Sequence, residues 1–137
     1  MRPFLITMGV LAASILVAAC AEEMTSLGPT PPGEGIVIFL HADFAGPSQA
    51  LNVDVPDLGK VDGACSSGAE GETPSWSDCI SSVKVMPGWT AMLYRDKNYK
   101  GASVAVTVDT PSLRDLRGPC DKDSFNDCVS SIRVSRQ

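Results

Sequence analysis

The 137-residue sequence has a single histidine, His41, and no pair of cysteines at the two-residue spacing usual in structural zinc sites. These two absences argue against a histidine metal cluster and against zinc. The sequence also has no glycine-rich nucleotide loop and no paired carboxylates of the kind an acid–base catalyst uses. His41 has no convincing Ser or Cys nucleophile as a partner. We therefore predict that the protein is not an enzyme.

Positive charge is scarce as well. The chain has 11 Lys and Arg against 16 Asp and Glu, which gives a formal net charge of −5. Arg2 is the one charged residue among residues 1–19, so removal of that segment changes the net charge from −5 to −6. An acidic surface makes nucleic acid an improbable partner and is compatible with cation binding.

The first nineteen residues have the features of an export signal. An apolar run over residues 4–17 is shorter than the about 20 residues that span a bilayer, and it ends in Val-Ala-Ala-Cys at residues 17–20. This pattern resembles the bacterial lipobox, which implies cleavage before Cys20 and attachment of lipid to its sulfur and to the new N-terminus. The alternative is an ordinary secretory signal that is cut after Ala19 or Ala21.

We therefore predict a signal peptide over residues 1–19 and a lipidated Cys20 followed by a flexible tether to residue 35. Residues 21–35 hold three prolines and three glycines without apolar periodicity, which is typical of a tether. The predicted location is a bacterial cell envelope, with the membrane contacted through the lipid on Cys20. Ala21, in place of Asp, favours the outer membrane in a Gram-negative host.

Residues 36–137 repeat themselves, at an offset of 55 residues in the first part of each half. The repeated positions are Phe39, Phe44, Gly46, Leu51, Asp54, Pro56, Leu58 and Cys65, with counterparts at Tyr94, Tyr99, Gly101, Val106, Asp109, Pro111, Leu113 and Cys120. From Trp76 onwards the offset is 49, which pairs Trp76 with Phe125 as predicted core anchors. The six extra residues lie in the Ser/Gly/Glu-rich stretch 66–75, a predicted surface loop. Motif one is 36–87 and motif two is 88–137.

Short apolar runs bounded by turn residues predict an all-β domain. The predicted strands are 36–39, 49–53 and 81–85 in motif one, and 90–94, 103–108 and 130–134 in motif two. Val104, Val106 and Val108 alternate and are expected on one face. Residues 56–59 and 111–116 are each expected to form a single helical turn. Two units of four strands apiece predict a two-sheet antiparallel sandwich.

Two motifs in each half resemble those of a known family. Phe39-x-x-x-x-Phe44-x-Gly46 and its counterpart from Tyr94 to Gly101 are similar to the Greek-key signature of βγ-crystallins. Residues 126–131, Asn-Asp-Cys-Val-Ser-Ser, match the calcium motif of the microbial members, Asn/Asp–Asn/Asp–x–x–Ser/Thr–Ser. Residues 77–82 match it at all positions but the first, which is Ser77. The resemblance implies two Greek-key motifs that form one antiparallel β-sandwich.

The hairpin signature also has a physical explanation. A glycine two positions after an aromatic suits a tight hairpin, because glycine tolerates a positive φ. The aromatics at the start and end of the hairpin are expected to pack on each other.

The resemblance further implies that the domain binds Ca²⁺, which takes six to eight oxygen ligands. The expected ligand positions are Asp78, Cys79 and Ser81 in motif one and Asn126, Asp127, Cys128 and Ser130 in motif two, with the cysteines contributing backbone carbonyls. The two motifs are expected to cross-brace, each ion drawing ligands from both halves. A further carbonyl is expected from residues 40–43 or 95–98. Ser77 departs from the motif and predicts two sites of unequal strength.

The four cysteines that follow Cys20 favour disulfides, because an exported chain meets an oxidising compartment. Pairing Cys65 with Cys79 and Cys120 with Cys128 gives one local bridge per motif, each ending inside a calcium loop. Pairing across the halves, Cys65 with Cys120 and Cys79 with Cys128, is compatible with the same sequence.

These expectations describe a calcium-binding domain on an envelope lipoprotein with a structural or binding role. Two alternatives follow from the same fold, because fold alone does not define function. Some secreted relatives look like inhibitors of metalloproteases, so the domain is also compatible with blocking an enzyme. The other alternative is calcium-dependent adhesion to a glycan or a cell surface, although the sequence identifies no particular protein or glycan partner.

Overall fold

The computed structural model of the protein describes residues 33–66 and 70–137. The predicted signal peptide, Cys20 and most of the predicted tether lie outside the described residues. The described chain is all-β, with seven strands, four single 3₁₀ turns and no α-helix. No helix in residues 33–66 and 70–137 is long and apolar enough to cross a membrane.

Six of the seven strands form two three-stranded antiparallel sheets. The strands are β1 (Ile36–Phe39), β2 (Ser48–Leu51), β3 (Asp62–Cys65), β4 (Ser82–Val85), β5 (Trp89–Asp96), β6 (Lys100–Val106) and β7 (Ser131–Arg136). The strand orders are β2–β1–β4 and β6–β5–β7, so each sheet is built mainly by one motif. In the first sheet Ile36 pairs with both Leu51 and Val85, and in the second Ala91 pairs with both Val106 and Val134. The predicted two-sheet antiparallel architecture is confirmed.

One residue of each half forms an isolated bridge to a strand of the other half. Val55 of motif one bridges to Ile132 in β7, and Thr110 of motif two bridges to Val83 in β4. Each bridge has two backbone hydrogen bonds of 2.8 to 3.0 Å. Pro56 and Pro111 follow immediately and have no N–H to extend the ladder. Motif one has four strands, β1 to β4, whereas motif two has three, so the expectation of four strands per half was wrong for motif two.

An aspartate next to each bridge continues the pairing through its side chain. Asp54 Oδ1 accepts a hydrogen bond from Val134 N at 2.8 Å, and Asp109 Oδ1 accepts one from Val85 N at 2.9 Å. Each carboxylate thus satisfies a strand amide of the opposite motif, which explains why Asp recurs at this position of the repeat. The chain must leave β6 to make this contact. β6 ends at Val106 and Val108 beyond it is 68% exposed, so the strand predicted to reach Val108 is shorter by two residues at this end.

A cluster of buried apolar side chains forms the core between the sheets. Trp76 and Phe125, the two predicted anchors, are both buried, and Trp89 is buried beneath Arg136. The closing strands β4 and β7 bury Val83 and Ile132 completely. The two predicted helical turns are present as 3₁₀ turns at Leu58–Lys60 and Leu113–Asp115, and the other two lie at Lys97–Tyr99 and Asp121–Asp123.

The two folded hairpins that follow β1 and β5 have the same geometry. Phe39 packs edge-on against Phe44 with ring centroids 5.8 Å apart, and Tyr94 packs in the same way against Tyr99. Gly101 has φ +76°, and an added Cβ there would lie 2.4 Å from a carboxylate oxygen of Asp96. The aromatic pairing and the requirement for glycine are therefore as predicted.

A buried serine ties each hairpin to the closing strand of its motif. Ser82 Oγ donates to His41 O at 2.6 Å and accepts from Phe44 N at 3.1 Å. Ser131 Oγ makes the equivalent contacts with Asp96 O at 2.6 Å and Tyr99 N at 3.0 Å. The last serine of each calcium motif is thus a structural residue that fixes the hairpin.

Replacing Ser131 with Ala is expected to lower the free energy of unfolding by about 2 kcal/mol, because it leaves the partly buried Asp96 carbonyl and Tyr99 N–H without their partner. Equilibrium unfolding in urea measures this loss. Ser103, exposed on β6, provides the matched control, and Ser103→Ala is expected to change stability by less than about 0.5 kcal/mol. Equal losses from the two variants would contradict the role assigned to Ser131.

Candidate metal centres

The two loops that carry the calcium motifs lie side by side at one end of the sandwich. Asp78 N donates to Val129 O at 3.0 Å, and Asp127 N donates to Ile80 O at 3.2 Å. Asp78 and Asp127 both have a positive φ, 59° and 53° respectively. Aspartate is among the few residues that adopt this conformation at modest cost. The repeat therefore produces two loops related by an approximate two-fold axis.

The carboxylate of each loop meets the serine of the other. Ser130 Oγ lies 3.2 Å from Asp78 Oδ1, and Ser81 Oγ lies 3.3 Å from Asp127 Oδ1. We name these the Asp78–Ser130 site and the Asp127–Ser81 site. Each site thus combines one residue of motif one with one residue of motif two, so neither belongs to a single motif.

The residue before each aspartate holds the second carboxylate oxygen. Ser77 Oγ donates to Asp78 Oδ2 at 2.9 Å, and Asn126 Nδ2 donates to Asp127 Oδ2 at 2.5 Å. Asn126 is 2% exposed, whereas both aspartates face solvent. The departure at Ser77 therefore affects the Asp78–Ser130 site, where a hydroxyl replaces a buried amide as the group that orients the carboxylate.

Each site also adjoins a hairpin. Ser81 N donates to Phe39 O at 3.0 Å and Ser130 N donates to Tyr94 O at 2.9 Å, which fixes each serine beside the first residue of its own hairpin. A depression of about 440 Å³ is lined by Leu40, His41, Ala42, Cys79, Ser81, Arg114, Asn126 and Asp127. The region 40–43, expected to supply a carbonyl, thus lies at the Asp127–Ser81 site. The His41 carbonyl, one of those in this region, already accepts a hydrogen bond from Ser82 Oγ.

A second depression of about 550 Å³ lies beside Asp78. Ser77, Asp78, Cys79 and Lys97 line it, together with Gly59 and residues of the disulfide-closed loop. Cys79 therefore lines both depressions, whereas Cys128 lines neither. The structure brings Asp78, Ser81, Asn126, Asp127, Ser130 and Cys79 together at one end of the sandwich.

The donors present at the two sites are oxygens. Within residues 33–66 and 70–137, no group of three or more His, Cys, Asp or Glu side chains is placed to hold a metal ion. Each site instead offers one carboxylate, one hydroxyl and nearby backbone carbonyls. This set suits a hard cation such as Ca²⁺, which accepts neutral oxygens and water to complete its shell. It does not suit zinc, which prefers nitrogen and sulfur ligands.

The disulfides follow the repeat. Cys65 pairs with Cys79 and Cys120 pairs with Cys128, so each motif has one local bridge and pairing across the halves does not occur. Both bridges end one residue after a site aspartate. By loop-closure estimates they contribute about 3 and about 2.5 kcal/mol, through the unfolded state.

The sequence did not indicate two cations beside the sites, Lys97 and Arg114, because their repeat counterparts are uncharged. His41 is exposed in the first hairpin. The pKa of Tyr99, in the second hairpin, is raised. Burial and, to a lesser extent, the Asp54 carboxylate raise the pKa of Tyr99, while Arg133, stacked 4.3 Å above the ring, opposes them.

Two antiparallel sheets, aromatic-pinned hairpins and paired loops define a βγ-crystallin domain. A βγ-crystallin domain from Flavobacterium johnsoniae superposes with a TM-score of 0.55 at 27% identity, covering 74% of this chain and 94% of that one. The N-terminal domain of protein S gives a TM-score of 0.53 at 28% identity, covering 74% of this chain and 96% of that domain.

A family model and a curated relative extend this assignment. Residues 38–107 match the model of peptidase inhibitor family I36. The chain therefore belongs to that family, with the βγ-crystallin fold. A development-specific protein S homolog from Myxococcus xanthus is 35% identical over 99 residues, which cover 72% of this chain and 46% of the relative. The chain thus spans about half the length of that relative.

Proposed function

We propose that the domain binds two calcium ions, one at the Asp78–Ser130 site and one at the Asp127–Ser81 site. The reciprocal pairing of each aspartate with the serine of the other motif is the observation that carries this proposal. The backbone carbonyls of Cys79 and Cys128, and one from each hairpin, are the proposed additional ligands. One carboxylate per site, with Asn126 orienting Asp127, implies moderate affinity, with a dissociation constant of about 10⁻⁵ to 10⁻³ M.

Calcium binding at these sites would stabilise the contact between the two motifs. In the described structure the hydroxyls of Ser81 and Ser130 each donate to one carboxylate oxygen across the loops. A cation placed between the same oxygens replaces a neutral donor by a double positive charge and so strengthens the link. A ligand that binds only the folded state raises stability as its free concentration exceeds the dissociation constant. The proposed role is therefore a non-catalytic one, in which calcium makes this end of the domain rigid.

Two double variants distinguish two arrangements of the ions: each ion shared between the motifs, or each ion held within a single motif. Both variants combine an Asp→Asn with a Ser→Ala substitution. Asp78→Asn with Ser130→Ala removes two ligands from the same site and is expected to leave one calcium bound. Asp78→Asn with Ser81→Ala removes one ligand from each site and is expected to leave neither site intact. Calorimetric titration of the exported chain carrying Cys20→Ser measures the number of ions bound.

The opposite pattern, in which Asp78→Asn with Ser81→Ala keeps one ion, would show that each motif binds its own calcium. Lys100→Ala, an exposed change on β6, is the control and is expected to leave both ions bound. An unchanged melting temperature and no heat of binding at millimolar calcium in the unsubstituted chain would contradict the metal proposal altogether.

We further propose that the domain is displayed by a lipid on Cys20 and that its calcium sites lie at the end of the sandwich opposite the start of the domain. The described chain enters β1 at Ile36, which pairs with Val85, whereas the metal end of the same sheet begins where Phe39 pairs with Ser82. Gly35 accepts a hydrogen bond from Met86 N at 3.0 Å, which holds the entry point at the far end. The start of the described domain and the proposed metal sites thus lie at opposite ends of the first sheet.

The lipid anchor predicts a mass change on substitution of Cys20. In the unsubstituted protein the exported chain is expected to begin at Cys20 and to carry the added mass of the lipid, because two or more acyl chains give stable membrane attachment. Cys20→Ser is expected to abolish that mass and to release the protein from the membrane fraction. Intact-mass spectrometry and fractionation measure both effects, and the same mass and distribution for the two proteins would favour a plain secretory signal.

Peptidase inhibition is a second candidate, favoured by the match of residues 38–107 to peptidase inhibitor family I36. If the domain inhibits, the purified chain is expected to reduce the initial rate of a secreted metallopeptidase in proportion to its concentration. The rate is measured with a peptide substrate at fixed free calcium, with a urea-unfolded sample as control. No inhibition across metallo-, serine and cysteine peptidases would reject this candidate and leave the calcium proposal unaffected.

A further inference from the structure

A positively charged side chain stands at the rim of each proposed calcium site. Lys97 lines the depression that contains Asp78 and Cys79, and Arg114 lines the one that contains Ser81 and Asp127. Neither residue belongs to the calcium motifs. A fixed positive charge beside a cation site opposes binding of the ion, so the two side chains need an explanation.

The two cations occupy different positions of the repeat. At the offset of 55 residues, Lys97 corresponds to Ala42 and Arg114 corresponds to Gly59. Ala42 lines the same depression as Arg114, at the Asp127–Ser81 site, and Gly59 lines the same depression as Lys97, beside Asp78. Each site therefore has one cation and one small residue. The repeat position that holds the cation at one site holds the small residue at the other. The space above Gly59 is taken by Lys97, whose Nζ would lie 3.6 Å from an added Cβ.

Each cation pairs with a carboxylate that is not a proposed ligand. Lys97 Nζ lies 3.2 Å from Asp57 Oδ2, and the Asp57 side chain is only 15% exposed. Asp57 is held in place because its other oxygen caps the 3₁₀ turn, accepting from Gly59 N at 2.9 Å. Arg114 lies 3.7 Å from Asp121, with both side chains about half exposed. Lys97 is thus the more firmly placed of the two.

We propose that Lys97 and Arg114 are tethered cations that each lower the calcium affinity of one site. The proposal rests on the calcium function proposed above. Lys97 acts on the Asp78–Ser130 site and Arg114 acts on the Asp127–Ser81 site. Lys97 lies in the hairpin of motif two, and Arg114 lies in the 3₁₀ turn at Leu113–Asp115. Because the two cations come from different elements, the affinities of the two sites can be set separately.

The expected size of the effect follows from Coulomb's law. A unit charge about 8 Å from a divalent cation in water changes the affinity about fivefold at low ionic strength. At about 0.15 M salt that distance equals one Debye length, and the effect falls to about twofold.

The test isolates each site and then removes each cation. Asp127→Asn leaves the Asp78–Ser130 site, where Lys97→Met is expected to tighten calcium binding about fivefold at low salt and Arg114→Met to have no effect. Asp78→Asn leaves the Asp127–Ser81 site. There Arg114→Met is expected to tighten calcium binding about fivefold at low salt and Lys97→Met to have no effect. Methionine keeps most of the side-chain volume and removes the charge. Lys100→Met is the control, and Lys97→Arg is expected to bind calcium as the parent does.

The salt dependence separates an electrostatic effect from a structural one. Calorimetry in 10 mM and 150 mM salt is expected to show the effect of Lys97→Met shrinking as salt rises, whereas repacking would give the same effect in both. If an isolating variant loses all binding, the intact chain is used, and each methionine variant must still lower the half-saturating calcium concentration relative to Lys100→Met. Affinities equal to that of the control would overturn this proposal while calcium binding itself stands, and no binding by the unsubstituted chain would instead reject the calcium function.

Discussion

The rest of the structure depends on two β-bridges between the halves. Val55 of motif one bridges to β7, and Thr110 of motif two bridges to β4. These bridges fix the second sheet against the first. They also place the metal loops of the two motifs side by side. There the backbone amides of Asp78 and Asp127 each donate a hydrogen bond to a carbonyl of the other motif. Asp54 and Asp109 extend the same exchange by accepting hydrogen bonds from strand amides of the opposite half. The proposed metal sites exist only because the two motifs are assembled in this way.

The two adjacent serines of each motif have different tasks. Ser82 and Ser131 are buried and hold the hairpins closed, so substituting them affects folding. Ser81 and Ser130 face the aspartates, so substituting them is expected to affect the ion. The hairpin and the metal loop are therefore coupled through one peptide bond. Calcium bound at the loop would in turn restrict the hairpin, which links the proposed binding to rigidity of the whole end.

The repeat in the sequence predicted the fold class, the aromatic hairpins, the core anchors Trp76 and Phe125 and the residues gathered at the loops. It did not reveal the isolated bridges at Val55 and Thr110, because a single bridging residue leaves no periodic pattern. The predicted strand extended to Val108 rather than ending at Val106, because alternation continues in the sequence after the chain has left the sheet. The repeat does not predict that Lys97 and Arg114 approach the sites, because they break the repeat and their positions depend on tertiary contacts alone.

A calcium-bound crystal structure with anomalous scattering measured from the ions would examine the cross-braced sites most directly. Two ions are expected, one coordinated by Asp78 with Ser130 and the other by Asp127 with Ser81, with backbone carbonyls completing each shell. An ion coordinated by Asp78 and Ser81 of the same motif, or ions bound only away from the paired loops, would contradict the proposal that the two halves of the repeat share their metal sites.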